Sequence, residues 1–305
     1  MASGCSGDET GDDGASRPRS LDVIVANHEL VANVGNRFLL GLVLGDGRQV
    51  AYGTVQVQIR SVADGVPASP GPVVLAEYLP LFGTKAGDPE AQPEAISPAS
   101  AKGVYLIRGV TFTGAGTFQV AVAADVRGVG VVQGSTPFEV LPEPAVPAPG
   151  ERAPRSENLT LGDEGAPPAA IDSRAATQGE VPDPELHGET IAGAIAARRP
   201  VLVLFSTPVY CLSRFCGPVT ELIEDYATRY EGRVEFIHVE IWKDFQSSEA
   251  NEVATEWLYR NGSLKEPWLF LIGPDGTIEE RWDNVFAPEE IETAIRPYVK
   301  GTDVD

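Results

Sequence analysis

The sequence predicts two domains of different class, an N-terminal antiparallel β-sandwich and a C-terminal α/β domain. Three observations carry this expectation. A chain of 305 residues is long enough for two hydrophobic cores. Apolar residues alternate with a period of two from about residue 21 to 142, then recur at helical spacing between continuous apolar runs from about 186 to 305. Between these regions, residues 143–185 are rich in proline and lose apolar periodicity, which reads as a linker with semi-rigid polyproline character.

Residues 1–20 are polar and are expected to be a disordered tether. In the run Thr54-Val55-Gln56-Val57-Gln58-Ile59-Arg60, Val55, Val57 and Ile59 share one face and the polar residues the other. Phe118-Gln119-Val120-Ala121-Val122 alternates in the same way. Further strands are expected at 22–26, 37–44, 73–78, 104–110, 129–132 and 138–141, with turns at Gly45-Asp46-Gly47 and Gly114-Ala115-Gly116. Seven or eight short strands without a helical pattern favour a sandwich over residues 21–142. Residues 80–102 form a long Pro/Ala-rich insertion, read either as a loop or as a partner-contacting flap.

In the C-terminal region, Val201-Leu202-Val203-Leu204-Phe205 is apolar throughout, as a strand buried on both faces requires. Val219, Leu222, Ile223, Tyr226 and Tyr230 mark a helix. Strands are expected at 234–241 and 268–272, the latter turned by Pro274-Asp275-Gly276 into 277–281. Helices are also expected around Ile191, around Trp257 and at 288–298.

Charge and composition narrow the partners. The chain carries 23 Lys+Arg against 44 Asp+Glu, a net charge of −21, which repels phosphate backbones, so no nucleic-acid partner is expected. Three cysteines and three histidines leave little for a zinc cluster, and no metal and no cofactor are expected. His238, in the apolar run 236–239, reads as a core histidine rather than a metal ligand.

The cysteines carry the chemistry. Cys211 and Cys216 lie five residues apart, where a strand hands over to a helix, and Cys5 stands alone. Cys216 precedes Gly217 and Pro218 at the helix start, where unpaired backbone N–H groups and the positive end of the helix dipole favour a thiolate. A Cys211–Cys216 disulfide is sterically accessible if the Cα atoms come within about 4.4–6.8 Å. So local a ring contributes only about 2 kcal/mol through loop closure, which leaves room for a redox role beside that of an inert staple.

Several resemblances add to this reading. Val201–Phe205 before the cysteines, Cys216-Gly217-Pro218, Glu266-Pro267-Trp268 and Pro274-Asp275-Gly276 make roughly the last 120 residues similar to thioredoxin. The resemblance departs at Val219, where the family has its second cysteine, and at Leu204, where it has a buried acid. It implies a thioredoxin-like domain over 186–305, with a cis peptide before Pro267 and an extended substrate peptide pairing near Glu266. The Gly116–Val120 segment resembles a late strand of an immunoglobulin-like domain. Ala2-Ser3-Gly4-Cys5 and the polar stretch after it resemble the lipobox and tether of a bacterial lipoprotein, without the usual leucine and without an apolar segment before it. This implies a lipid on Cys5 and an extracytoplasmic, membrane-anchored protein. The spacing of the cysteine pair also partly resembles one peroxiredoxin branch.

The resulting expectation is thiol–disulfide exchange with secreted or cell-surface proteins, Cys216 attacking as thiolate and Cys211 resolving the mixed disulfide. Alternatives are a non-catalytic binding protein whose disulfide is structural and, less specifically, a thiol peroxidase in which Cys211 attacks peroxide.

Overall fold

A computed structural model describes residues 20–84, 87–88, 90–100, 103–211, 213 and 215–299. The chain is mostly β, with 40% strand and 18% helix. The first ten strands are β1 (Leu21–Val25), β2 (Gly35–Leu44), β3 (Gln49–Ala51), β4 (Thr54–Ala63), β5 (Val66–Pro67), β6 (Val74–Pro80), β7 (Glu94–Ile96), β8 (Gly103–Thr111), β9 (Gly116–Val126) and β10 (Gly130–Val140). Antiparallel pairing joins them in the order β10-β9-β4-β6-β8-β2-β3-β7, with β1 on β2 and β5 on β4.

The period-two pattern explains how this sheet makes a core. Val55 and Val57 of β4 point inward with Val120, Val122 and Ala124 of β9 and Phe38, Leu40 and Leu42 of β2. Phe38, Phe112 and Phe138 meet at centroid separations of 5.1–6.2 Å, in tilted or edge-on arrangements suited to aromatic rings. β1 also runs against β10, where Ser20 bridges Gln133. Gly134 permits this approach, since a Cβ there would collide with the Leu21 carbonyl oxygen. The immunoglobulin-like sandwich expected here is thus shown at the level of a β-rich, antiparallel region. The insertion at 80–102 contributes β7 and the buried Leu81.

The remaining elements are α1 (Pro168–Ile171), α2 (Ala175–Gln178), a 3₁₀ turn (Pro184–Leu186), α3 (Ile191–Ala196), β11 (Val201–Ser206), α4 (Cys216–Arg229), β12 (Glu235–Glu240), β13 (Trp242–Asp244), β14 (Glu249–Ala250), α5 (Glu252–Leu258), β15 (Trp268–Ile272), β16 (Ile278–Asp283) and α6 (Pro288–Val299). Four strands form a mixed sheet in the order β12-β11-β15-β16, with β11 parallel to β12 and antiparallel to β15. β11 is buried on both faces. Val201, Val203 and Phe205 join one core with Trp257 and Phe270, while Leu202 and Leu204 join another with Leu222, Ile223 and Tyr226 of α4.

The thioredoxin-like C-terminal domain is a correction. Among the described residues the chain is predominantly β, with a ten-stranded antiparallel sheet and six short helices, and does not show a clear domain of that fold. The matching segments were an apolar strand, a helix-starting proline, a proline before a strand at Glu266-Pro267-Trp268 and a Pro-Asp-Gly hairpin. Each is a local device that many strand–loop–helix connections use, so together they do not specify a fold.

The proline-rich stretch at 143–185 is packed over much of its length. Val146 and Ala153 enter the core beside β11. Gly150 and Ala153 donate backbone bonds to Ile278 and Gly276, extending the edge at β16. The Ser156 hydroxyl accepts from the Trp257 indole at 2.9 Å. Composition alone missed this because prolines that cannot continue a ladder still allow edge pairing by their neighbours. The two halves also meet through an apolar layer of Leu39, Leu81, Leu106, Val285 and Ala287, with Phe215 packed against it. Arg37 crosses the same junction to Glu290 at 2.9 Å and to the Val285 carbonyl at 2.6 Å. Among the described residues no helix is long and apolar enough to cross a membrane.

Candidate functional site

The site forms where β11 ends. β11 ends at Ser206, and the first residue of α4 is Cys216. Cys211 and Cys216 form a disulfide with Cα atoms 6.0 Å apart, as the spacing allows. Cys216 is wholly buried, on the face of α4 that carries Val219, Leu222 and Ile223. Cys211 is partly open to solvent. Its sulfur accepts from the Cys216 backbone N–H at 3.4 Å and from the Ser213 hydroxyl at 3.1 Å.

The two sulfurs differ in exposure. Cys216 starts the helix, as expected, but its sulfur is covered. The α4 N-terminus instead presents an N–H to Cys211, which is therefore the sulfur that is both reachable and supported as an anion. Gly217 and Pro218 occupy the first turn, where proline's missing N–H leaves no bond unmade. Arg214 and Cys5 lie outside the described residues.

Glu266 and Pro267 lie beside the pair. The Glu266–Pro267 peptide is cis. The two sulfurs and a Glu266 carboxylate oxygen all lie within 4.8 Å of one another. The β-rich half braces this loop. Asn284 donates from its backbone to the Pro267 carbonyl at 2.9 Å and from its side chain to the Ala26 carbonyl at 2.6 Å, while Lys265 reaches the His28 carbonyl at 2.9 Å. A cavity of about 780 Å³ opens between the halves next to the disulfide loop, with Ser213, Phe215 and Pro218 on one wall and Val25, Ala26 and His28 on the other.

Burial, with the nearby charge of Glu240 second, pushes the Glu266 carboxyl up to about 7. The site thus holds a proton carrier tuned near neutrality within reach of both sulfurs. The sequence reading placed Glu266 only as a backbone contact for substrate. Because its folded value lies above its ordinary 4.5, the folded state holds this proton more tightly than the unfolded chain. The resulting destabilisation is absent below about pH 4.5 and fully present above about pH 7. Glu266→Gln is therefore expected to stabilise the protein by about 2 kcal/mol at pH 8, and to have no such effect at pH 4.5. Thermal unfolding at the two pH values checks this, and equal effects at both would refute it.

Beneath the disulfide runs a buried polar chain that sequence reasoning missed. Thr220 donates to the Cys216 carbonyl at 2.8 Å, and its oxygen lies 2.9 Å from the Ser206 hydroxyl, which lies 2.9 Å from His238 Nε2. His238 Nδ1 and His187 Nε2 stand 3.4 and 3.5 Å from the same oxygen of Asp172. Arg174 pairs with Asp172 at 2.7 Å. Burial opposes ionisation of Asp172, but the two rings and the guanidinium hold its carboxyl well below the usual range. Burial likewise opposes protonation of His238, but Asp172 and the charge of Glu240 outweigh it and raise its pKa. Burial dominates at His187 and lowers its pKa. The one available signal was Asp172-Ser173-Arg174, a charged triplet within a stretch dominated by small residues and prolines.

No family model matches the chain, and no curated protein matches it. The resemblances to thioredoxin, to immunoglobulin-like domains and to bacterial lipoproteins therefore find no support in these comparisons. One solved structure, that of Spo0M, a sporulation control protein from Bacillus subtilis, aligns at 10% identity with a TM-score of 0.24, over 42% of this chain and 50% of its own. The chain thus matches only half of that protein's length, and so slight a likeness carries no argument about fold or function.

Proposed function

We propose that the protein is a thiol–disulfide oxidoreductase acting on protein substrates through Cys211 and Cys216. The observation that carries this reading is the asymmetry of the pair. One sulfur is accessible and faces a helix N-terminal N–H, the other is buried behind it, and a carboxyl with a pKa near 7 lies beside both.

In the oxidising direction a substrate thiolate attacks Cys211 Sγ, the Cys211–Cys216 bond breaks, and Cys216 leaves as the thiolate. A second substrate thiolate then attacks the substrate sulfur of the mixed disulfide, forming the substrate disulfide and releasing Cys211 as thiolate. Two electrons pass from substrate to protein. Glu266 gives up its proton to the departing sulfur. The reducing direction is the reverse, with Cys211 attacking and Cys216 resolving.

The cavity between the halves would seat the side chains flanking the substrate cysteine, with the β-rich half, read as an immunoglobulin-like sandwich, as one wall. Substrates of this kind belong to an oxidising, extracytoplasmic compartment. A lipid thioether on Cys5 would hold the protein at the membrane, and the intact mass of protein extracted from membranes tests that attachment.

A second reading, a binding protein with a structural disulfide, is favoured by the complete burial of Cys216. The reduction potential of the pair separates the two. We expect a value between about −120 and −230 mV, where exchange is facile, and a value below about −300 mV would establish the staple.

A further inference from the structure

We propose that Asp172, His187 and His238 form a binding site for one divalent first-row metal ion, with zinc best suited to the donor set. All three side chains are fully buried, and their donor atoms lie within 4.8 Å of one another. The site joins Asp172 of the 143–185 stretch and His187 to His238 of β12, and it contains neither cysteine of the redox pair.

Three of the four ring nitrogens of His187 and His238 lack a hydrogen-bond partner. His238 Nε2 lies 3.2 Å from the Ser206 carbonyl, which can only accept, so this nitrogen carries a proton. In a neutral ring His238 Nδ1 then presents a lone pair, and it faces a carboxylate oxygen at 3.4 Å. Neither ring nitrogen of His187 has a hydrogen-bond partner, although one stands 3.5 Å from that same oxygen. A metal ion among His187 Nε2, His238 Nδ1 and Asp172 would supply the partner these ring nitrogens lack, beside the Arg174 guanidinium that already meets the carboxylate at 2.7 Å.

The spacing fits as well. Ligands bound to zinc at about 2.0–2.1 Å in a tetrahedral shell stand roughly 3.3–3.4 Å apart, close to the two imidazole–carboxylate separations. These same separations, at 3.4 and 3.5 Å, are long for a direct N–H···O⁻ bond. Two imidazoles and a carboxylate suit zinc, iron(II) or nickel. The surroundings supply the outer partners such ligands need. Ser206 orients the His238 ring, and Arg174 bonds both Asp172 oxygens, Oδ1 at 3.0 Å and, at 2.7 Å, the same Oδ2 that faces the rings. Arg174 is itself offset by Asp183 at 3.0 Å and Glu224 at 2.5 Å, so its charge does not dominate the neighbourhood.

The test uses the full-length chain with its disulfide intact, so that neither thiol is free to bind metal. After chelator treatment the protein is dialysed against Zn²⁺ or Co²⁺ and freed of excess. Binding of about one equivalent is expected, with zinc X-ray absorption showing imidazole scattering and no sulfur. His187→Ala and His238→Ala are expected to lower the stoichiometry at least tenfold, and a Cys211→Ser/Cys216→Ser variant is expected to keep it. Should the histidine variants fail to fold, the absorption spectrum of the native chain decides alone. Failure of the native chain to retain metal, sulfur in the zinc shell, or full stoichiometry in a folded His187→Ala chain would each overturn the proposal. None of these outcomes depends on exchange activity, so the site and the redox function stand or fall separately.

Discussion

Cys216→Ser is expected to accumulate a mixed disulfide between Cys211 and a substrate thiol, whereas Cys211→Ser is expected to lose exchange by roughly a thousandfold or more. The asymmetry follows from position. Cys211 is partly exposed, and the Cys216 N–H and Ser213 hydroxyl both point at its sulfur. Cys216 is fully covered and can meet only a sulfur already bonded to Cys211. Without the resolving thiol, the first covalent adduct has no intramolecular route to release. Without the accessible thiol, no adduct forms. Incubation of each variant with a small aromatic disulfide, followed by mass spectrometry of the peptide containing the adduct, measures both effects. An adduct on Cys216 in Cys211→Ser, formed at the native rate, would reverse the roles. Ser213→Ala should slow attack more modestly, because it removes one of two donors to the same sulfur.

Much of the local structure was legible in the residues. Strict alternation at 54–60 placed β4, and the uninterrupted run Val201–Phe205 placed a strand covered on both faces. Helical spacing from Val219 to Tyr226 placed the buried face of α4, and the five-residue separation of the cysteines was compatible with the disulfide. What escaped were relations between distant segments. Nothing local to Cys211 and Cys216 says which sulfur is covered, since that depends on how α4 packs its Cys216 face against the sheet. Glu266 became an ionisable member of the site only because the turn before β15 brings it to the sulfurs under cover of the β-rich half. The proline-rich stretch looked like an open spacer because its apolar residues lack a period. Val146, Ala153 and Ile171 are nonetheless buried, the last within the covered run 170–173. The fold resemblance failed for the complementary reason: short motifs report local turns, and architecture is set by how the intervening elements pair.

Arg174→Met is expected to destabilise the protein by about 3–5 kcal/mol at pH 7, the scale on which removing one partner exposes an uncompensated buried charge. Arg174 is the cation for three carboxylates, meeting Asp172 at 2.7 Å, Asp183 at 3.0 Å and Glu224 at 2.5 Å. The Asp172 side chain is 0% exposed, so water cannot take over the role of the guanidinium. Arg174→Lys keeps the charge but not the fork that reaches three acceptors at once, and is expected to recover less than half of the loss. The surface pair Arg48–Asp46, 46% and 53% exposed, provides the contrast: Arg48→Ala should change stability little, because water screens both charges. The pH dependence has a definite sign. Asp172 is held well below the usual carboxylate range, so its contribution persists on acidification until that low folded value is reached. Glu224 is displaced upward, chiefly by burial, and takes up a proton first as pH falls. The Arg174→Met penalty should therefore shrink only in part between pH 7 and pH 4, because Asp172 still demands its partner. Urea unfolding at both pH values measures this, and a penalty below about 1 kcal/mol at pH 7 would show that the histidine rings alone suffice to hold Asp172 ionised.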